Sequence, residues 1–275
     1  MLAPAKLEDG QTVRIGSLQV RYVRRSAAGA SPGDLPIVVL HGWGAHIEAV
    51  APILAALEGA PDLIALDLPG FGESDEPGDA WNVDAHERFL AEFLDHLGVS
   101  RAHLVGHSHG GRVSIALAAA HPDRVGRLLL VDAAGLRPKR GWRYRRRVAA
   151  AKLGRVAAAV GGPPGRRLQE RMRARVASRD YLEASEAMRG TFRALIAEDL
   201  SDRLRRVDAP TLLVWGDQDE DTPLWMAHRM EELIPDAGLV VLEGAGHYSY
   251  ADSPGQFRAV ARRFLLEQPR EAAAS

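Results

Sequence analysis

The fold of this chain is decided by the stretch Gly106-His107-Ser108-His109-Gly110, a Gly-x-Ser-x-Gly pattern near the middle of the sequence. The apolar run 102–105 before it is typical of a buried strand, and the alanine-rich run 108–120 is typical of a helix. A serine on so sharp a turn stands at the top of a sheet, where the helix dipole favours negative charge. The pattern also arises by chance. The alternative interpretation is a glycine-rich turn with a packing role only, and the rest of the chain is needed to decide between the two.

Short apolar runs and helical patterns alternate on both sides of this turn. They predict a hairpin at 13–25, strands at 37–40, 63–66, 102–105, 128–131, 211–215 and 239–242, and helices at 46–57, 84–97, 108–120, 224–234 and 254–266. The last helix begins with a Ser-Pro-Gly-Gln sequence, in which Ser253 is the predicted N-cap. Such alternation predicts an α/β fold with a mostly parallel sheet of about eight strands, flanked by helices.

The alternation stops between residues 136 and 200, where only helical patterns occur. We therefore predict a core formed by residues 1–135 and 201–275, and a helical cap formed by residues 136–200. The cap holds fifteen Arg and two Lys against six acidic residues, a balance of +11, and its aromatic residues include Phe192. Two interpretations of the cap arginines stay open. They bind an acidic substrate group, or they lie on solvated helix faces.

Bulk composition excludes several classes of protein. The 275 residues carry a formal net charge of −1, which gives no indication of a nucleic-acid partner. No cysteine is present, so disulfides, a cysteine nucleophile and thiolate metal sites are excluded. Neither a signal peptide nor a long apolar run is evident. We expect a cytoplasmic monomer or homodimer without stable membrane association.

Five stretches of the chain resemble, in the same order, the signatures of the α/β-hydrolase superfamily: His41-Gly-Trp-Gly, Asp67-Leu-Pro-Gly-Phe-Gly-Glu-Ser, Gly106-His-Ser-His-Gly-Gly, Trp215-Gly-Asp-Gln-Asp and Gly246-His247. More narrowly, they resemble its small cap-bearing branch of esterases, C–C hydrolases and cofactor-free perhydrolases. The resemblance spans the chain except for the cap, and it implies the α/β-hydrolase fold without a cofactor.

A serine hydroxyl is a poor nucleophile until a base removes its proton. His247 is the predicted base, because it lies in a glycine-flanked loop after the last strand and matches the histidine of the family. The family pattern Gly-x-x-Asp places the orienting acid at Asp219, in the chain order serine, acid, histidine. Asp217 in the same loop, and Asp132 at a position where some relatives carry the acid, stay open as alternatives.

Acyl transfer also needs donors for the developing oxyanion. The backbone N–H groups of Trp43 and His109 are the predicted donors, and the Trp43 side chain either walls the acyl pocket or simply packs. His41 is interpreted as a structural loop residue. No metal is expected, because the side chains of His107 and His109 diverge in a tight turn and the sequence offers no third ligand.

Three activities are compatible with these residues. The first is hydrolysis of carboxylic esters of small molecules, including substrates with an acidic acyl group. The second is hydrolysis of a carbon–carbon bond in a ring-fission product, although that subfamily usually has Asn in place of His107 and Trp in place of Tyr248. The third is a hydrolase-like ligand receptor or signalling protein, which retains an intact triad.

Overall fold

The computed structural model describes residue 7 and residues 9–27, 34–137 and 184–267. Its strands are β1 (Gln11–Ile15), β2 (Leu18–Ser26), β3 (Ile37–Leu40), β4 (Asp62–Leu66), β5 (Ala102–His107), β6 (Val125–Val131), β7 (Thr211–Gly216) and β8 (Ala237–Leu242). Its described helices are α1 (Ala51–Ala56), α2 (Val83–His96), α3 (His109–Ala120), α4 (Glu186–Ala197), α5 (Ser201–Leu204), α6 (Trp225–Leu233), α7 (Ser249–Asp252) and α8 (Pro254–Leu265). Short 3₁₀ helices occupy Ile47–Val50 and Pro122–Arg124.

The eight strands form one sheet in the order β1-β2-β4-β3-β5-β6-β7-β8. Strands β1 and β2 pair antiparallel, as do β2 and β4, and the other five pairings are parallel. The predicted fold class is confirmed. Because β3 to β8 run the same way, the loops that follow β3, β5, β6, β7 and β8 gather at one edge of the sheet, where ligand sites of open α/β sheets lie.

Alternate residues of each central strand enter different cores, as the two-residue period of a strand requires. Within β3, Val38 and Leu40 join the core under α2, α3 and α6, whereas Ile37 and Val39 join the core under α1 and α8. All four side chains of β3 are fully buried. The apolar run in β3 is therefore explained by coverage of the sheet on both faces.

Two local predictions differ from the structure. The helix predicted at 46–57 is a 3₁₀ turn followed by α1. Pro52 has no N–H group to donate to a carbonyl of the preceding turn, so it cannot lie inside one continuous helix and occupies the first turn of α1. Ser253 precedes α8, but its side chain makes no capping hydrogen bond. Its backbone also ends α7, at φ −128° and ψ 59°, outside the extended conformation that capping requires.

Most of the predicted cap, residues 138–183, lies outside the described residues. The described part contains α4, whose N-cap Ser185 accepts a hydrogen bond from the Met188 N–H. Phe192 of this helix meets the Trp43 ring, with centroids 5.0 Å apart. Helix α4 therefore borders the loop after β3. Among the described residues, no helix is long and apolar enough to cross a membrane.

Candidate active site

Ser108 occupies the sharp turn between β5 and α3. Its backbone adopts φ 50° and ψ −112°, a conformation that non-glycine residues rarely adopt, and its N–H donates to the Val131 carbonyl at 3.1 Å. Strand and helix pass very close here. A Cβ at Gly106 would lie 2.5 Å from the Gly111 Cα, and one at Gly110 would lie 2.3 Å from the Leu40 carbonyl oxygen. The flanking glycines are therefore required sterically, as the motif predicted.

His247 lies in the loop between β8 and α7 and reaches back to the serine. Its Nε2 is 3.0 Å from the Ser108 Oγ, and its Nδ1 is 2.8 Å from Asp219 Oδ2. A carboxylate only accepts, so Nδ1 carries the proton and Nε2 is free to accept the serine hydroxyl. The structure thus brings the three predicted side chains into one hydrogen-bonded chain.

Asp219 is held in the loop after β7 by the residues that follow it. Its Oδ1 accepts the N–H groups of Asp221 and Thr222 at 2.8 and 2.9 Å, and its Oδ2 accepts the Thr222 hydroxyl at 2.7 Å. Burial raises the pKa of Asp219, but hydrogen bonds from His247 and Thr222 outweigh it and lower the pKa below its ordinary value. The carboxylate is therefore ionised and fixed in position at neutral pH.

The pKa of His247 is determined by burial and by its partner Asp219. Burial opposes protonation of the imidazole, but the hydrogen bond and negative charge of Asp219 outweigh burial, so the pKa of His247 is raised. A raised pKa makes the ring a stronger proton acceptor, provided the pH keeps it neutral at rest.

The two alternative acids have other hydrogen-bond partners. Asp132, which is fully buried, accepts the Gly216 N–H at 2.9 Å, and it accepts the Ser249 N–H at 3.0 Å and hydroxyl at 2.6 Å. Burial raises its pKa to about 7. Asp217 accepts the Gly244 N–H at 2.8 Å. Within the described part of the chain, Asp219 is the carboxylate bonded to His247.

The loop after β3 brings Trp43 to the serine. A Cβ at Gly42 would lie 3.2 Å from the Ser108 Cβ, so the backbone of this loop packs directly on the turn. Within the described residues, the N–H groups of Trp43 and His109 donate no hydrogen bond. His41 accepts the Leu68 N–H on Nε2 at 2.9 Å, which fits its interpretation as a structural residue.

Sequence reasoning did not identify the supporting roles of three residues. Thr222 bonds the acid, Asp132 ties the strand of the acid to the helix after the histidine, and His107 Nε2 lies 2.8 Å from the His247 carbonyl. Thr222 had a readable signal, because Asp followed by Thr three residues later is typical of a side-chain-stabilised turn. The roles of the other two depend on contacts 84 to 140 residues apart in the sequence and have no local signature.

One group of described residues has the geometry of a metal site. Oxygen and nitrogen atoms of Asp219, Asp221 and His247 lie within 4.8 Å of one another. Two of these residues already bond each other in the chain that ends at Ser108. A cation here would compete with the His247 Nδ1 hydrogen bond, and we assign the group to that hydrogen bond.

The comparisons with known proteins agree with this architecture. A family model described as alpha/beta hydrolase fold matches residues 36–254. A 2-hydroxy-6-oxononadienedioate/2-hydroxy-6-oxononatrienedioate hydrolase of Cupriavidus pinatubonensis is 28% identical over 285 residues, covering 92% of this chain and 93% of that protein. The dihydrolipoyllysine-residue acetyltransferase component of the acetoin cleaving system of Pseudomonas putida is 29% identical, covering 93% and 69%. The enol-lactonase crystal structure from Burkholderia xenovorans superposes with a TM-score of 0.72 at 22% identity, covering 94% and 100%.

Proposed function

Because this chain belongs to the α/β-hydrolase fold family, we propose that it is a serine hydrolase that cleaves carboxylic esters of small molecules through an acyl-enzyme. The observation that carries the proposal is the hydrogen-bonded chain from Ser108 through His247 to Asp219. A hydroxyl, a base and an orienting acid in this order form the constellation that activates a serine for acyl transfer.

In the first half-reaction, Ser108 Oγ attacks the acyl carbon while His247 Nε2 takes the hydroxyl proton. Asp219 holds the imidazole in the required tautomer and stabilises its positive charge. The Trp43 and His109 N–H groups donate to the oxyanion, assisted by the N-terminus of α3. His247 then gives its proton to the departing alcohol, and the acyl group stays on Ser108.

In the second half-reaction, water takes the place of the alcohol. His247 removes a proton from this water, the resulting hydroxide attacks the acyl carbon, and the proton returns to Ser108 as the acid leaves. The same oxyanion donors serve both steps. The raised pKa of His247 supports this role, since the ring must accept a proton twice in each cycle.

An aryl-ester panel tests the proposal with wild type and Ser108→Ala. Removing the nucleophile of a serine hydrolase costs about 10⁶-fold in kcat. A fluorophosphonate is also expected to add one phosphonyl group to Ser108 of the wild type, as detected by peptide mass spectrometry. Equal ester rates in both proteins, or labelling of another residue, would show that Ser108 is not the nucleophile.

Hydrolysis of a carbon–carbon bond is the second candidate, since one 28% identical relative is named as a hydrolase of a nonadienedioate. Such a reaction uses the same serine and histidine for the acyl half-reaction. The residues that depart from that subfamily, His107 and Tyr248, lie against His247, with ring centroids 5.0 and 5.6 Å away. Bleaching of a coloured ring-fission product, with no turnover of esters, would favour this candidate.

A further inference from the structure

Arg112 is a buried cation on α3, one helical turn after the nucleophile. Its N–H donates to the Ser108 carbonyl at 3.3 Å, and its side chain belongs to a residue that is only 5% exposed. The guanidinium donates one hydrogen bond, from Nη1 to the Glu198 carbonyl at 3.1 Å. Among the described residues, no carboxylate forms an ion pair with it. The negative charges of Glu198 and Asp199 attract the guanidinium without forming an ion pair with it, and burial lowers the pKa of Arg112 to about 10. A buried charge without a direct ionic partner is costly and calls for an explanation.

Two buried histidines lie beside it. His109 is 4% exposed and His86 is 1% exposed, and their ring centroids are 4.9 Å apart. The His109 Nε2 has no hydrogen-bond partner among the described residues. Burial lowers the pKa of His86 to about 4 and the pKa of His109 well below its ordinary value, and the charge of Arg112 lowers both further. We call His86, His109 and Arg112 the basic cluster.

The nearest acidic residues are engaged elsewhere. Asp199 accepts from the Ser201 N–H and hydroxyl with Oδ1, and from the Arg137 N–H with Oδ2. The Glu198 carboxylate faces Arg203, 3.5 Å away, while its carbonyl receives Arg112. Within the described residues, the basic cluster therefore contains no anion of its own. The donors left for an anion are those of the Arg112 guanidinium and His109 Nε2 when it carries the proton, because His86 Nδ1 donates to the Asn82 carbonyl at 2.9 Å.

The basic cluster adjoins the reaction centre through His109. The His109 ring contacts the rings of Trp43 and Phe71, with centroids 5.8 and 6.4 Å away. His247 must reach the departing alcohol, so the alcohol lies on the His247 side of Ser108. On the other side an acyl group would pass the two backbone donors, Trp43 and His109, and Arg112 follows His109 by three residues on α3.

We propose that the basic cluster binds a carboxylate at the far end of the acyl group, with Arg112 as its main ligand. The substrates would be monoesters of short dicarboxylic acids, or other acyl donors of that shape. The inference rests on the proposed function and specifies its substrate class. A guanidinium offers paired, parallel N–H donors that match a carboxylate, and a buried site strengthens this interaction.

The cluster lies in the core and not in the cap, where sequence reasoning sought such a site. Three cap arginines are described: Arg137, Arg189 and Arg193. Two of them bind backbone carbonyls of their own segment, since Arg189 donates to Ala184 and Arg193 to Arg189, and the Arg137 N–H donates to Asp199. Arg193 is exposed. The other cap arginines lie outside the described residues.

The test compares two esters of matched shape, ethyl hydrogen glutarate and ethyl 5-methylhexanoate. The readout is the ratio of their kcat/KM values, measured by alcohol release. Wild type is expected to favour the acid ester, and Arg112→Met is expected to lower the ratio by about 10- to 100-fold, the value of a hydrogen bond to a charged group. Arg258→Met removes an equal charge from the exposed face of α8 and is expected to leave the ratio unchanged.

A wild-type ratio below one, or an equal ratio in wild type and Arg112→Met, would overturn the proposal. Arg112→Met is expected to melt at the wild-type temperature or above, because it removes an unpaired buried charge. A lower melting temperature with an unchanged ratio would identify Arg112 as a structural residue. If this variant does not fold, Arg112→Lys keeps the charge without the planar fork and is expected to lower the ratio by a smaller factor.

A binding assay separates failure of this inference from failure of the proposed function. Glutarate is expected to raise the melting temperature of wild type and not that of Arg112→Met, whether or not either ester is hydrolysed. If glutarate stabilises the wild type but neither ester is hydrolysed, the carboxylate site at the basic cluster stands and the proposed esterase function is rejected. If ester turnover depends on Ser108 but glutarate does not stabilise the protein and the acid ester is not preferred, the proposed function stands and the carboxylate site at the basic cluster is rejected.

Discussion

Asp219 and Asp132 are two buried carboxylates in one hydrogen-bond network with different tasks. Asp219 bonds the imidazole directly, whereas Asp132 bonds the Gly216 and Ser249 N–H groups that flank the acid and the histidine. The Thr222 hydroxyl lies within hydrogen-bond distance of both residues, 2.7 Å from Asp219 Oδ2 and 3.0 Å from the Asp132 carbonyl. One residue therefore sets the charge and tautomer of His247, and the other sets the position of the loops.

Replacing each carboxylate by its amide separates these tasks. Asp219→Asn is expected to lower kcat by about 10⁴-fold with little change in stability, because the amide stabilises the wrong tautomer of His247. Asp132→Asn is expected to lower kcat less and stability more, by about 1–3 kcal/mol, because a donor now faces buried N–H groups. Ester kinetics and urea unfolding of both variants measure this. A larger kcat loss in Asp132→Asn would show that the acid had been assigned to the wrong residue.

At the scale of elements, the packing of α3 against β3 brings the turn of Ser108 next to the loop of Trp43. Helix α3 carries Ser108 at its N-terminus, and β3 leads into the loop of Trp43. The two elements approach so closely that the Leu40 carbonyl occupies the space a Cβ of Gly110 would need. Glycine at position 110 is thus required by the close packing of α3 against β3 as well as by the turn.

Gly110→Ala is therefore expected to destabilise the protein by about 1–3 kcal/mol, the cost of overpacking, and to reduce ester turnover by displacing the Trp43 loop. Gly255→Ala is the matched control. It also lies in the first turn of a helix, α8, but no atom lies within 4 Å of its added Cβ. That control is expected to be neutral or slightly stabilising. Equal unfolding energies for both variants in urea would contradict the close packing.

The elements themselves were largely readable from the sequence, because strands buried on both faces are continuous apolar runs and their helices keep a regular period. The hydrogen-bonded chain of Ser108, His247 and Asp219 could be anticipated from the sequence because each residue sits next to a strand end with glycines around it. Arg112 was not, because an arginine in an alanine-rich helix has no feature that marks it as buried. Nor was the role of Asp132 in joining β7 to α7, since these partners lie over 80 residues away in the sequence.

For the whole molecule, the buried histidines govern the response to acid. Burial lowers the pKa of His41, His86 and His103 to about 4 and that of His107 to about 3, and it lowers the pKa of His109 well below its ordinary value. Unfolding returns each ring to an ordinary pKa near 6.5. Between about pH 6.5 and pH 4 the unfolded chain therefore binds more protons than the folded one, and acid favours unfolding.

Asp132 acts in the opposite sense in the same window. Its pKa of about 7 in the folded state exceeds its ordinary value of 3.8, so the folded state holds one extra proton there. This contribution grows as the pH falls from 7 towards 4. The raised pKa of His247 acts in the same sense as that of Asp132. Two groups therefore oppose the five histidines whose pKa is lowered, and the net effect remains a loss of stability in acid.

The free energy of unfolding is accordingly expected to fall steeply below pH 6.5, by about 1.4 kcal/mol per pH unit for each unprotonated histidine. Urea unfolding at pH 7.5, 6.5 and 5.5 measures the slope. His103 lies at the start of β5, away from Ser108, so His103→Gln is expected to leave ester turnover intact. It is expected to reduce the slope by the contribution of one histidine, about 1.4 kcal/mol per pH unit. His228→Gln is the control, because it removes an imidazole that is exposed on the surface of α6. A slope that His103→Gln leaves unchanged would mean that this ring is already protonated in the folded protein at pH 5.5.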